Sequence, residues 1–177
     1  QSLAQLLSNT TIQDCEWAYR AIMLAAPGGL GESNQQDVAN PPEVNLREAM
    51  LIASERDRVA LQYVTDFKDI FDFAVLEYNQ AFVLSENSYW SALVVFTALL
   101  ARFPDSHIER KFGDQYSSWI TDEMNLLYEQ LRSKTFDELL PSLYELDSQF
   151  KTKKINPGTT ADMTVATLLA VFLEQLI

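Results

Sequence analysis

Leu93-Val94-Val95-Phe96-Thr97-Ala98-Leu99-Leu100, and shortly after it Pro104-Asp105-Ser106-His107-Ile108-Glu109-Arg110-Lys111, decide how this chain is read. The first segment is an apolar run that must be buried, and within Tyr89 to Phe103 it reads as a helix. Pro104 ends that helix because its ring clashes with the preceding turn and it has no N–H. Asp105 or Ser106 can cap the next one. A helix starting there places His107, Arg110 and Lys111 at i, i+3 and i+4, on one face. Two cations, the only imidazole of the chain and free backbone N–H groups then converge on a helix N-terminus, which suits phosphate. Cations are disfavoured at that end of the helix dipole, and an anionic ligand would remove the conflict. Capping with solvated charges is the plainer reading of the same residues. Asp105, Ser106 and His107 are consecutive, so they cannot form a nucleophilic triad, whose members must meet at defined angles.

Outward from this stretch, nearly every segment reads as helix, and alternating β-branched runs between turns are scarce. Thr11 to Ala25 is helical, with Ile12, Cys15, Tyr19, Ile22 and Met23 on one face. Pro27-Gly28-Gly29-Leu30-Gly31 ends it, and a polar loop runs from Glu32 to Pro42. Asn45 caps a helix through Ala53, Arg56 to Thr65 continues it or forms a second piece, and Asp66 caps a helix from Phe67 to Leu84. Glu86-Asn87-Ser88 is a break. A long amphipathic helix is expected from Ser106 to Leu131, with Trp119, Met124, Leu127 and Leu131 on the core side. Thr135 caps another, to Lys153, and Thr164 to Leu176 closes the chain with an almost wholly apolar helix. Such a helix is buried on most sides or faces another subunit. The expected fold is all-α, a single bundle-like domain of six to eight helices spanning residues 1–177.

The bulk composition narrows the function. Hydrophobic residues make up 47% of 177, with 10 Phe, 7 Tyr and 3 Trp, so the chain has the material for a substantial core. Net charge is −12, from 25 acidic against 13 basic residues, and repels nucleic-acid backbones and anionic lipid heads. A phosphate site must therefore be a local basic island. The single cysteine, Cys15, excludes an intrachain disulfide and a Cys-based zinc site, and fits a reducing compartment. Beside Trp17 in a helical pattern it reads as a buried structural thiol. No stretch is long and apolar enough to span a bilayer, and no signal peptide is visible. The expected location is the cytoplasm.

Two further polar joints interrupt the helices. Gly28, Gly29 and Gly31 free backbone N–H groups and permit positive φ, but the segment is neither a P-loop nor a dinucleotide fingerprint, and a helix C-cap explains it too. Asn156-Pro157-Gly158-Thr159-Thr160-Ala161-Asp162 reads as a turn and a helix start, with Thr159 and Asp162 at capping-box spacing. Lys151, Lys153 and Lys154 just upstream form a basic island beside it. A weaker cluster, Arg56-Asp57 with Gln62-Tyr63, is equally well explained as surface charge.

Together Ala26–Gly31, Arg102–Lys111 and Asn156–Thr167 resemble the triphosphoribosyl-dephospho-CoA synthase family, in order and over nearly the whole chain. The Asn-Pro-Gly turn followed by Ala161-Asp162 and an apolar helix is the most specific of the three. The resemblance implies an all-helical enzyme that joins the 5-triphosphoribosyl unit of ATP to the ribose of 3′-dephospho-CoA and releases adenine. It implies Asp105, His107 and Asp162 as catalytic residues. It also implies Gly28, Gly29, Gly31, Ser106, Arg110, Lys111, Asn156, Gly158, Thr159 and Thr160 as phosphate- or nucleotide-binding residues. Mg2+ is expected to accompany ATP, with its ligands unassigned. The implied partners are ATP and a dephospho-CoA-like acceptor; the apolar C-terminal helix separately offers a homodimer surface, and the acidic charge argues against nucleic acid and membrane as partners. A Glu-Val…Lys-Pro-Gly-type motif and a Gly-Asn-Thr-type segment of the family's N-terminal half are absent. The chain is therefore expected to be the C-terminal part of a longer protein, whose fragment alone can be inactive. A non-catalytic helical module binding a ligand or a protein is the alternative.

Overall fold

The structure is a computed structural model and describes residues 2–25 and 33–176. Gly28, Gly29 and Gly31, expected to cradle phosphate, lie outside the described residues. Among those residues the chain is all-helical, with ten α-helices and no strand, more helices than the six to eight expected. It forms two compact units, Gln1–Lys68 and Asp69–Ile177.

The first unit holds α1 (Leu3–Ser8), α2 (Ile12–Ala25), α3 (Leu46–Ala53) and α4 (Arg58–Val64). Local side chains fix where these helices start. Asn45 accepts from the Glu48 N–H at 2.9 Å while the Glu48 carboxylate accepts from the Asn45 N–H, a reciprocal capping box. Asp57 Oδ1 accepts from the Ala60 N–H at 3.0 Å and starts α4, so this member of the weaker polar cluster has a structural task. Cys15, Tyr19 and Ala49 form the core, with Val38, Val44 and Leu46 packed against them. The buried stripe of α2 is narrower than expected, since Ile12 and Met23 are exposed. Cys15 is fully buried, and burial pushes its thiol up, away from the reactive thiolate.

The second unit opens with a π-helical turn, Ile70–Ala74, running into α5 (Val75–Ser85). It continues with α6 (Ser88–Arg102), α7 (Ser106–Phe112), α8 (Ser117–Leu131), α9 (Phe136–Thr152) and α10 (Gly158–Glu174). The apolar helix α6 is its axis, packed against α5, α8 and α10. Val94 and Leu100 of α6 meet Ile108 of α7, Met124, Leu127 and Leu131 of α8, and Leu139 of α9 in one buried cluster.

Three expected boundaries are corrected. Asp66 caps nothing: Asp66 and Phe67 both take left-handed backbone (φ 56 and 60), and the Phe67 N–H returns to the Gln62 carbonyl at 2.7 Å. The long helix from Ser106 to Leu131 is two helices, because Gly113 takes φ 60, ψ −141 and closes α7 after two turns. A side chain rarely follows that backbone, so a glycine inside an otherwise continuous amphipathic pattern was the available signal. Helix α10 starts at Gly158, with Pro157 at its N-cap, and Thr159 and Thr160 lie inside it. The expected Thr159–Asp162 capping box therefore does not form. Helix α10 also buries its polar side: Thr159, Thr160, Thr164 and Thr167 face inward, while Val165, Leu169 and Leu173 are exposed. Thr164 and Thr167 satisfy their hydroxyls on the carbonyls one turn back, at 2.8 Å.

Candidate active site

Two of the three polar joints meet in the second unit. Asp105 is 4% exposed and sits at the N-cap of α7. Its Oδ1 accepts from the N–H groups of His107 (3.0 Å) and Ile108 (3.1 Å). Its Oδ2 accepts from the N–H and the hydroxyl of Thr160, both at 2.8 Å. One buried carboxylate thus caps α7 and clamps it to the first turn of α10. Four donors around one carboxylate offset the cost of burying its charge. Thr159 adds a second tie, its hydroxyl accepting from the His107 N–H at 3.3 Å.

This clamp sets the place of the histidine. The His107 ring lies against Gly158, where a Cβ on that residue would fall 3.0 Å from Nδ1 and 3.4 Å from Cγ. Gly158 therefore permits a close approach that a larger residue would crowd. Asp162 stands one turn further along α10, on the same helical face as Gly158, and is exposed. Lys111 Nζ donates to the Lys154 carbonyl at 3.1 Å, which joins the end of α7 to the turn before α10. Lys154 is itself left-handed (φ 56), a role that the basic island Lys151, Lys153 and Lys154 did not reveal in sequence.

The expected conflict with the helix dipole is absent. Helix α7 has only 7 residues, so Arg110 and Lys111 occupy its last turn, where cations are favoured. The backbone N–H groups expected to face a ligand are also occupied. Those of His107, Ile108 and Thr160 bind Asp105, and that of Ala161 binds the Pro157 carbonyl at 3.0 Å. Ser106 and Thr160 are buried as well. The groups presented outward are the side chains of Arg110, Lys111, Asn156 and Asp162, with half-buried His107 beside them. Among the described residues no three His, Cys, Asp or Glu side chains gather as a metal site. No described helix is long and apolar enough to cross a membrane.

The sequence model of the CitG family, described as ATP:dephospho-CoA triphosphoribosyl transferase, matches residues 1–177. The chain belongs to this family. Its members are triphosphoribosyl-dephospho-CoA synthases, which move a triphosphoribosyl group from ATP to dephospho-CoA, and the chain is a transferase of that class. No curated protein and no solved structure matches it. For a CitG transferase, the clamp between Asp105 and Thr160 joins two of the segments on which the family resemblance rests.

Proposed function

We propose that the junction of α7 and α10 is where this chain carries out triphosphoribosyl transfer. The observation that carries the reading is the seat of His107 on Gly158, held by Asp105 across the two segments. In the reaction the bond between ribose C1′ and adenine breaks, and a ribose hydroxyl of dephospho-CoA takes adenine's place. The hydroxyl loses a proton and the departing adenine gains one. His107 is suited to move that proton. Asp162 carries an exposed carboxylate that can face the positive charge developing at C1′. Arg110, Lys111 and Asn156 are suited to the triphosphate, as side chains and not as a cradle of free N–H groups. Asp105, Ser106, Gly158, Thr159 and Thr160 build and position the site. Asp105 is therefore a positioning residue, not a catalytic one.

Mg2+ fits this arrangement as a companion of the triphosphate, since it commonly binds through one or two carboxylates plus substrate phosphates. Asp162 would be its protein ligand, and the ion would neutralise phosphate charge. A cytoplasmic setting fits the single buried Cys15. The exposed stripe Val165, Leu169 and Leu173 on α10 supports a homodimer formed through that helix.

Adenine release from Mg-ATP, with dephospho-CoA present, tests the reading directly. We expect turnover that falls at least about a hundredfold in His107→Ala or Asp162→Asn, with the fold retained. For Arg110→Ala/Lys111→Ala we expect a raised KM for ATP. In the parent chain, Mg-ATP at one hundred times its dissociation constant should add about 2.7 kcal/mol of stability. A KM for ATP left unchanged by the double replacement would refute the phosphate assignment.

A further inference from the structure

A pocket of about 410 Å³ opens at the opposite end of α6, between the end of α5, the end of α8 and the start of α9. Trp90 and Phe136 form one wall, edge to face with ring centroids 6.3 Å apart. Glu77, Tyr128 and Arg132 form a hydrogen-bonded chain on another. The Tyr128 hydroxyl donates to Glu77 Oε2 at 2.6 Å, and Arg132 Nη1 donates to the Tyr128 oxygen at 2.9 Å. The phenol thus bridges a carboxylate and a guanidinium that make no direct contact with each other. Lys134 adds a second cation, so the lining carries two positive groups against one carboxylate in a chain of net charge −12. The volume falls in the range of pockets that enclose small molecules.

We propose that this pocket binds a small aromatic anion of about mononucleotide size. Its ring lies against Trp90 and Phe136, its negative group meets Arg132 and Lys134, and Glu77 accepts a hydrogen bond from a ring amine. The inference goes beyond the transferase reading. Trp90 and Arg102, at the two ends of α6, are separated by about 18 Å of helix, so this pocket and the α7–α10 junction are distinct places.

Adenosine monophosphate is the probe, titrated calorimetrically against the full chain. Saturable binding is expected, weakened at least about tenfold by Arg132→Ala/Lys134→Ala and changed less than about threefold by Arg110→Ala/Lys111→Ala. Adenosine and ribose 5-phosphate, each lacking one half of the recognition, should each bind at least about tenfold more weakly. Trp90→Phe should remove the change in tryptophan fluorescence on binding while leaving the fold intact. Binding lost only in the Arg110/Lys111 variant would place the probe at the junction and overturn the proposal, whether or not transfer activity is found there. Ribose 5-phosphate binding as tightly as the probe, or no saturation by any of the three, would overturn it too.

Discussion

Asp105 Oδ2 accepts two hydrogen bonds from Thr160, one from the backbone N–H and one from the hydroxyl, each 2.8 Å long, across 55 positions of sequence. Both partners are 4% exposed. Replacing Asp105 by Ala leaves the buried N–H groups of Ile108 and Thr160 without an acceptor, and should cost about 3–5 kcal/mol. Asp105→Asn keeps an acceptor for the α7 cap and should cost less. Thr160→Val removes only the hydroxyl and should cost about 1–2 kcal/mol. Urea unfolding ranks the three, and equal costs would show that the carboxylate does not act as the described clamp.

Gly158 and His107 should behave as a coupled pair. Gly158→Ala puts a methyl 3.0 Å from His107 Nδ1, so the imidazole must move. We expect activity to drop at least about tenfold, with a shifted imidazole proton resonance. In a His107→Ala background the crowding is gone. The same glycine replacement should then be close to neutral, since Gly158 is the first residue of α10 and the helix-interior preference for alanine acts little there. A double-mutant cycle with no coupling would contradict the observed contact.

Gly113 carries a purely conformational demand. Nothing lies within 4 Å of where its Cβ would be, yet its φ is 60. Gly113→Ala should lower stability by about 1–3 kcal/mol through backbone strain alone. Denaturant unfolding checks this, and a neutral result would mean that α7 and α8 are not separated by this backbone geometry.

The start of α9 should give an acid-sensitive contribution. Glu138 accepts from the Thr135 N–H and hydroxyl, both at 2.8 Å, and these bonds hold its carboxyl below the usual glutamate value. A depressed folded-state pKa stabilises fully above the unfolded value, and this is lost as pH falls through the folded one. The stability advantage of the parent over Glu138→Gln should therefore be constant near neutrality and vanish as pH drops through the acid carboxylate range. Unfolding midpoints measured from pH 7 down to pH 3 would show it.

Sequence alone determined the features whose cause lies within one helical turn. Asn45 with Glu48, Asn87 with Tyr89 and Trp90, and Thr135 with Glu138 are caps three residues long or less, and each starts a helix near the place its sequence indicates. The apolar run through Leu93–Leu100 likewise required burial, and α6 became the axis of the second unit. Tertiary structure decided the rest. Asp105 could be read as a cap, but its second oxygen serves a residue 55 positions away, and no periodicity encodes that partner. The same contact occupies the Thr160 N–H, one of the groups that the sequence had offered to a ligand. The break at Gly113 reversed the electrostatic meaning of Arg110 and Lys111, from the start of a long helix to the end of a short one. Local hydrogen bonds close within reach of neighbouring residues. Burial of a charge needs donors from wherever the packed chain supplies them, and only the folded molecule specifies which those are.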